Sequence, residues 1–228
     1  DQIMHQRVLL TDLSHELRTP LTRLDIATDN LLTHREKGVE DTQIKLERIH
    51  KESQHIRKLV DDTLTLSWLD NESPQLRIES LDLVDLLEIL IEDGRFEYPD
   101  KLIFADLPNQ AYIENSNHRA LGQALENILR NALRYTPINK KVRISLIDYK
   151  HEYKIIIADQ GPGVPKEHLN TIFRPFFRID SARSCNSDSF GLGLALAQRQ
   201  LHAIAATVFA KNDTAGGLVM TVTVPKGV

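Results

Sequence analysis

The sequence lacks the features that are typical of disulfide-rich, membrane-spanning or nucleic-acid-binding proteins. Its single cysteine, Cys185, excludes an internal disulfide and is typical of a reducing compartment. No apolar run approaches the roughly 18 residues that a membrane span requires. A net charge of −4, with no broad basic excess, argues against nucleic acid as a partner.

What is present is typical of one large or two modest globular domains, since 41% of the 228 residues are hydrophobic and 26% are charged. The chain starts at Asp1, without an initiator methionine or a signal peptide. We therefore expect it to be a fragment of a longer protein.

The first seventy residues contain no helix breakers except Gly38 and Pro20, which predicts two long helices over about 3–34 and 41–70. Residues at heptad spacing form a mainly apolar stripe on each helix: Leu10, Leu17, Leu24 and Leu31 with Leu13 and Ala27, then Ile49, Ile56 and Thr63 with Leu59 and Leu66. Two such helices and a short turn predict an antiparallel hairpin. Because one hairpin cannot bury both stripes, we expect a homodimer. The alternative is a hairpin that packs only on the rest of its own chain.

Strands and helices mix after a polar break at about 70–80 that contains Pro74. We assign a hairpin domain to 1–71, a linker to 72–78 and a second domain to 79–228. Apolar periodicity predicts helices in "LVDLLEILIED" and in "SNHRALGQALENILRNALRYT", the latter capped by Ser116 or Asn117. It predicts strands in "KLIFADL", "KVRISLID", "YKIIIAD" and "GLVMTVTVP", the second and third of them adjacent.

Three short patterns in the second domain suggest nucleotide chemistry, although each alone is weak. Asn127 and Asn131 share one helix face, and asparagine oxygens can join a Mg²⁺ shell completed by phosphates and water. "DQGPG", at 159–163, places a carboxylate and two glycines after an apolar strand. "FGLGLALAQRQ" places two glycines at a helix start, where free N–H groups favour phosphate.

The combination and order of the motifs resemble the sensor histidine kinases, whose ATP-binding module is related to those of Hsp90, gyrase B and MutL. "LSHELRTPLTRL" resembles the phospho-acceptor H box, and "NILRNALRYTP" the N box. "DQGPGVP", "IFRPFFRID" and "FGLGLALAQ" resemble the first glycine, phenylalanine and second glycine boxes. These motifs span about 15–200.

The resemblance implies an α+β fold: a helical hairpin that forms a four-helix bundle across the dimer, then an α/β sandwich with a mixed sheet that binds ATP. It implies that Asn131, supported by Asn127, ligates Mg²⁺, that Arg134 faces the phosphates and that Tyr135 lies against adenine or ribose. Asp159 would bind the adenine amino group beside a wall shaped by Gly161 and Gly163.

The resemblance further implies an ATP lid over about 164–190, anchored by Phe173, Phe176 and Phe177, while Gly191 and Gly193 allow close approach to the triphosphate. Two departures bear on ATP affinity. Ser189 and Phe190 stand where the family often has glycine and threonine, and "HAIAATV" lacks the usual paired glycines.

In the H box, the resemblance marks His15 as the phosphorylated residue, with Glu16 able to hold its near ring N–H. Thr19 lies one turn later, where the family links a small polar residue to dephosphorylation of the regulator. The ring of Pro20 clashes with the carbonyl of Glu16, which predicts a bend that exposes His15. The alternative is an exposed His-Glu pair beside a tolerated kink. The other histidines, including His50 and His55, are expected on solvated faces.

These roles together predict the cytoplasmic catalytic core of a two-component sensor kinase that uses ATP and Mg²⁺. His15 would be phosphorylated and would pass its phosphoryl group to an aspartate of an OmpR-type response regulator. The protein would also dephosphorylate that regulator. The full-length protein is expected in the bacterial inner membrane. Two alternatives remain: an ATPase that drives conformational change, as in the Hsp90 relatives, and a degenerate kinase retained as a dimeric scaffold.

Overall fold

The computed structural model describes residues 2–33, 39–71, 79–179 and 190–227. The chain divides into two compact units, one built on Asp1–Ser67 and the other on Trp68–Ala182 and Gly191–Val228. The first unit carries the predicted helices and the second carries the mixture of strands and helices. The predicted α+β fold class is confirmed.

The first unit contains the long helix α1 (Gln2–Thr33) and most of a second long helix, α2 (Val39–Asn71). α1 is helical through Pro20, and that proline is buried. Arg23 on α1 and Glu52 on α2 form an ion pair at 3.7 Å, which joins the two helices. Among the stripe residues, Ala27, Leu59 and Leu66 are buried, but Leu10 is 60% exposed.

In the second unit, three helices share one hydrophobic core with a five-stranded sheet. The helices are α3 (Leu83–Glu97), α4 (His118–Tyr135) and α5 (Gly193–Ala203). The strands of the sheet are β2 (Leu102–Asp106), β4 (Lys141–Asp148), β5 (Glu152–Ala158), β6 (Thr207–Asn212) and β7 (Leu218–Pro225). Their spatial order is β2-β4-β5-β7-β6. β2 and β4 are parallel and the other neighbours are antiparallel, so the predicted mixed sheet is confirmed.

Local sequence explains why these elements form. Tyr153, Ile155 and Ile157 alternate toward the core along β5, as a strand with one buried face requires. The helix α4 carries a continuous buried stripe and begins at Asn117, whose side chain accepts a hydrogen bond from the backbone N–H of Ala120 at 2.8 Å. Of the two predicted caps the structure therefore uses Asn117, while Ser116 ends a strand.

Three of the described strands were not predicted from the sequence. β1 (Glu79–Asp82) begins inside the predicted polar break, and it pairs antiparallel with β3 (Tyr112–Ser116) in a separate two-stranded sheet. β6 lies at the edge of the large sheet. Short strands and edge strands bury few side chains, so their sequences show little alternation.

Candidate functional site

Asp159 follows the end of β5 and is 6% exposed. Its Oδ1 accepts hydrogen bonds from the backbone N–H of Gly161 at 2.7 Å and of Leu218 at 3.0 Å. Burial raises the pKa of this carboxyl, and the two backbone donors partly offset that rise. Among the described residues both hydrogen bonds go to Oδ1, so Oδ2 remains as an acceptor for a ligand.

The first glycine of this loop permits a close approach to α4. A Cβ atom on Gly161 would lie 2.8 Å from the carbonyl oxygen of Tyr135, the last residue of α4. The loop therefore runs against the end of the helix that carries the predicted N box. The Tyr135 side chain is 52% exposed at this junction.

The second glycine of the loop faces Asn212, a residue that the sequence analysis did not select. Gly163 has a φ of +72°, and a Cβ there would lie 3.0 Å from Asn212 Oδ1. Asn212 Oδ1 accepts from the backbone N–H of Val164 at 2.9 Å, and its Nδ2 donates to the Val164 carbonyl at 2.6 Å. In the sequence, "NDTAGG" indicates only a turn, so no local signal reveals this contact.

Gly217, also missed, lies directly against Asp159. Its φ is +100°, and a Cβ atom would overlap the carbonyl oxygen of Asp159. The turn between β6 and β7 can therefore reach the carboxylate only with glycine at this position.

Two predicted metal ligands lie on α4, both half-buried. A Cβ atom on Gly193, at the start of α5, would lie 3.4 Å from Asn127 Oδ1, so the structure brings these two predicted residues together. Within the described residues, the side chains of Asn131 and Arg134 make no hydrogen bond, and their polar atoms are available to a ligand.

The described residues contain no cluster of three or more His, Cys, Asp or Glu able to hold a metal ion. A magnesium ion at Asn131 and Asn127 would therefore depend on phosphate oxygens for most of its ligands. The neutral amide oxygens of Asn127 and Asn131, near the donors of Arg134, fit a metal ion that arrives bound to a nucleotide.

The phenylalanine box and the second glycine box meet. Phe173 is buried in the core, and Phe177 packs against the core with its ring 5.2 Å from that of His168. Phe176 has a φ of +62°, and a Cβ on Gly191 would lie 2.7 Å from the Phe177 carbonyl oxygen. Glycine is thus required where the two boxes touch.

The predicted lid is partly described. It contains two short 3₁₀ turns, Lys166–His168 and Thr171–Phe173. Ser189 lies outside the described residues, and Phe190 is half-buried.

The predicted phospho-acceptor residues all lie on α1, in the first unit. His15 and Thr19 are exposed and Glu16 is half-buried. Among the described residues no hydrogen bond joins the His15 ring to Glu16. Because Pro20 has no N–H, the carbonyl of Glu16 lacks its usual intrahelical donor. The predicted bend itself stays a prediction.

Two histidines on α2 differ from each other. His50 is exposed and pairs with Gln54 at 2.9 Å between their Nε2 atoms. His55 is half-buried, with Nδ1 3.8 Å from Oε2 of the buried Glu52. The solvated face predicted for His55 is only partly present, because its side chain is 20% exposed and lies beside a buried carboxylate.

Comparison with known proteins agrees with both units. Residues 5–72 match the His Kinase A (phospho-acceptor) domain, and residues 116–228 match the histidine kinase-, DNA gyrase B- and HSP90-like ATPase domain. The chain belongs to the sensor histidine kinase family. The ATPase-type match supports ATP as the ligand of the second unit of this histidine kinase.

Named relatives cover almost all of this histidine kinase fragment. Sensor protein PfeS of Pseudomonas aeruginosa is 35% identical over 220 residues, which are 94% of this chain and 46% of PfeS. Sensor histidine kinase CpxA of Escherichia coli is 36% identical over 222 residues, which are 96% of this chain and 47% of CpxA. The chain thus spans about half the length of these curated relatives.

Among solved structures, histidine kinase ThkA in complex with response regulator protein TrrA matches with a TM-score of 0.76 and 20% identity. The match covers 99% of this chain and 64% of ThkA, and it supports the fold. In the described part of this histidine kinase, no helix is both long and apolar enough to cross a membrane.

Proposed function

We propose that this chain is the catalytic core of a two-component sensor kinase that phosphorylates His15 from ATP·Mg²⁺. A neutral ring nitrogen of His15 attacks the γ-phosphorus, a P–N bond forms, and the bond to the bridging oxygen breaks to release ADP. The ring loses its N–H proton to solvent or to a carboxylate. One observation carries the proposal: a single chain joins an exposed histidine of a phospho-acceptor domain to a buried, backbone-oriented carboxylate in an ATPase-type domain.

The second unit binds the nucleotide in this proposal. Asp159 Oδ2 accepts a hydrogen bond from the adenine amino group, and the loop of Gly161 and Gly163 lies along the base. Arg134 approaches the phosphates, and Asn131 with Asn127 holds Mg²⁺, which neutralises phosphate charge. Gly191 and Gly193 leave room for the triphosphate beside α5.

The first unit supplies the nucleophile and the dimer contact. His15 is exposed, and in this proposal Glu16 accepts the near N–H, which leaves the far nitrogen free. Large apolar side chains lie exposed on both helices, among them Leu10 at 60%, Ile44 at 61% and Leu64 at 63%. A second copy that covers these side chains in a four-helix bundle is the arrangement we propose.

The phosphoramidate on His15 then passes to an aspartate of a response regulator. ThkA was solved with such a partner, and the H box favours a regulator of the OmpR type. Thr19, exposed one turn after His15, orients the water that removes phosphate from the regulator. We further propose that the complete protein resides in the bacterial inner membrane.

Incubation with γ-labelled ATP and Mg²⁺ tests the reaction. We expect acid-labile, base-stable label that maps to His15, is lost in His15→Ala and is retained in the matched control His50→Ala. Label that persists in His15→Ala would disprove the assignment. Phosphate release without protein label would favour a conformational ATPase, and absence of nucleotide binding would favour a scaffold.

The phosphatase step is tested with a phosphorylated OmpR-type regulator. Thr19→Ala should retain autophosphorylation and lose most dephosphorylation, because only a small hydroxyl is removed. Thr22→Ala is the control, since that hydroxyl donates to the Arg18 carbonyl at 2.9 Å within the helix. Wild-type dephosphorylation by Thr19→Ala would contradict the water-orienting role.

The dimer is tested by light scattering after size exclusion. Leu64→Glu should yield monomer, because a charge would be buried in the bundle. Leu102→Glu, 51% exposed on β2 of the other unit, should leave the mass unchanged. A monomeric wild-type chain would favour the alternative of a hairpin that packs only on its own chain.

A further inference from the structure

The loop from Gln160 to Val164 has little regular structure of its own, yet it must hold a fixed shape to form a wall beside Asp159. At its first end, the backbone N–H of Gly161 donates to Asp159 Oδ1 at 2.7 Å. At its far end, the side-chain amide of Asn212 both accepts from and donates to the backbone of Val164, at 2.9 and 2.6 Å. A primary amide can imitate a strand neighbour in this way because it carries both a donor and an acceptor.

Asn212 is well placed for this contact because it ends β6. In the register of β6 and β7, Asn212 lies opposite Leu218. The backbone N–H of Leu218 donates to Asp159 Oδ1 at 3.0 Å, and the N–H of Asp159 donates to the Leu218 carbonyl at 3.0 Å. The residue pair that flanks the β6–β7 turn therefore holds both ends of the loop. Leu218 holds Asp159, and Asn212 holds Val164.

Gly163 makes the second of these contacts possible. Its φ of +72° turns the chain just before Val164, in a region that residues with a Cβ rarely adopt. A side chain at this position would also press on Asn212 Oδ1. The Val164 side chain in turn packs against the hydrophobic core, which anchors the end of the loop.

We propose that Asn212 is a positioning residue for nucleotide-base binding, which acts by holding the Val164 end of the glycine loop at a fixed distance from Asp159. This inference rests on the proposed ATP site. Without the amide, the loop must be ordered when the nucleotide binds, and that ordering weakens binding. Chemistry at His15 is unaffected once ATP is bound, because Asn212 touches no reacting group.

The test measures autophosphorylation kinetics, with KM for ATP and kcat determined separately. Asn212→Ala should raise KM for ATP about tenfold, the effect of losing roughly 1.4 kcal/mol of hydrogen bonding, and leave kcat within about twofold. Asn212→Asp, which has the same shape, should also raise KM because a carboxylate cannot donate to the Val164 carbonyl. The preference for ATP over GTP should fall in both variants. Lys211→Ala, exposed on the same strand, is the control and should behave as the wild type.

Asn212→Asp decides the matter even if Asn212→Ala does not fold. A folded Asn212→Asp protein with unchanged KM and unchanged ATP preference would overturn the inference. A lower kcat together with a lower melting temperature, while KM for ATP stays unchanged, would also overturn it. A wild-type chain that binds no ATP would instead overturn the proposed function, and this inference with it.

Discussion

Asp159 and Leu218 exchange two hydrogen bonds: the N–H of Asp159 donates to the Leu218 carbonyl at 3.0 Å, and the N–H of Leu218 donates to Asp159 Oδ1 at 3.0 Å. The end of β5 is thus fixed to the beginning of β7. Because backbone groups orient the carboxylate through one oxygen, the other oxygen is free for a ligand. A substitution that changes only the free oxygen of Asp159 should therefore alter ligand binding and leave the fold intact.

Asp159→Asn should abolish most ATP binding while the fold survives. The amide oxygen can still accept from Leu218 and Gly161, but the second oxygen becomes an NH₂ group that faces the adenine amino group. We expect affinity to fall at least about tenfold, as for loss of a charged hydrogen bond. Calorimetric titration measures this, with Asp213→Asn as the control because, within the described part of the chain, that carboxylate accepts hydrogen bonds only from Thr214 and Ala215 of the exposed β6–β7 turn. Equal affinity in Asp159→Asn and the wild type would contradict the base-binding role.

The same substitution predicts a pH-dependent change in stability. Burial raises the pKa of Asp159 above its ordinary 3.8, so the folded state binds a proton more tightly than the unfolded state. That stabilisation is fully present below pH 3.8 and is lost as pH rises through the folded-state pKa. Relative to wild type, Asp159→Asn should therefore be more stable at pH 7 than it is near pH 4. Urea unfolding at both pH values measures the free energy of unfolding of the variant minus that of the wild type, and a difference that is as high or higher near pH 4 than at pH 7 would refute the prediction.

Neighbouring glycines in the β6–β7 turn provide a matched pair. Gly216 and Gly217 both have positive φ, at +92° and +100°, but only Gly217 lies against Asp159. Gly216→Ala should cost about 1 kcal/mol of backbone strain, whereas Gly217→Ala should cost roughly 2 kcal/mol more through the clash. Gly217→Ala should also weaken ATP binding. Thermal unfolding of both variants tests this, and equal destabilisation would show that the turn moves freely away from the carboxylate.

Ala205 adopts a conformation better suited to glycine. It has a φ of +58° just after α5, where its N–H donates to the His202 carbonyl and the N–H of Ala206 donates to the Leu201 carbonyl. This is the Schellman pattern, which usually has glycine at this position. Ala205→Gly should raise the free energy of unfolding by about 1 kcal/mol, while Ala203→Gly, at the last residue of α5, should lower it by up to about 1 kcal/mol. Urea unfolding compares the two, and destabilisation by both would count against strain at Ala205.

Pro20→Ala tests the predicted bend beside His15. The change restores an N–H that can bond the Glu16 carbonyl and removes the ring clash, so stability should rise by up to about 3 kcal/mol. The ratio of kinase to phosphatase activity should shift, because a straight helix disfavours one of two arrangements at His15. Thermal melts and both activity assays measure this. If stability and ratio both stay at wild-type values, the proline is incidental.

The sequence by itself determined the features that depend on local pattern. Heptad spacing and the absence of breakers predicted both long helices, which the structure begins and ends within about two residues of the expected positions. Alternation predicted β4 and β5 as neighbours, and a capping side chain predicted the start of α4. The ordered motifs identified the family, because each one is a short local string.

Only the tertiary structure decided which distant backbones meet. The position of β7 between β5 and β6 brings Leu218 to Asp159 and Asn212 to Val164, across sequence separations that carry no period. Gly217 and Asn212 were missed for this reason, since each acts on a backbone group more than forty residues away. A short sequence segment indicates helix or strand propensity. The loop beside Asp159 is instead shaped by hydrogen bonds that exist only after the sheet has formed.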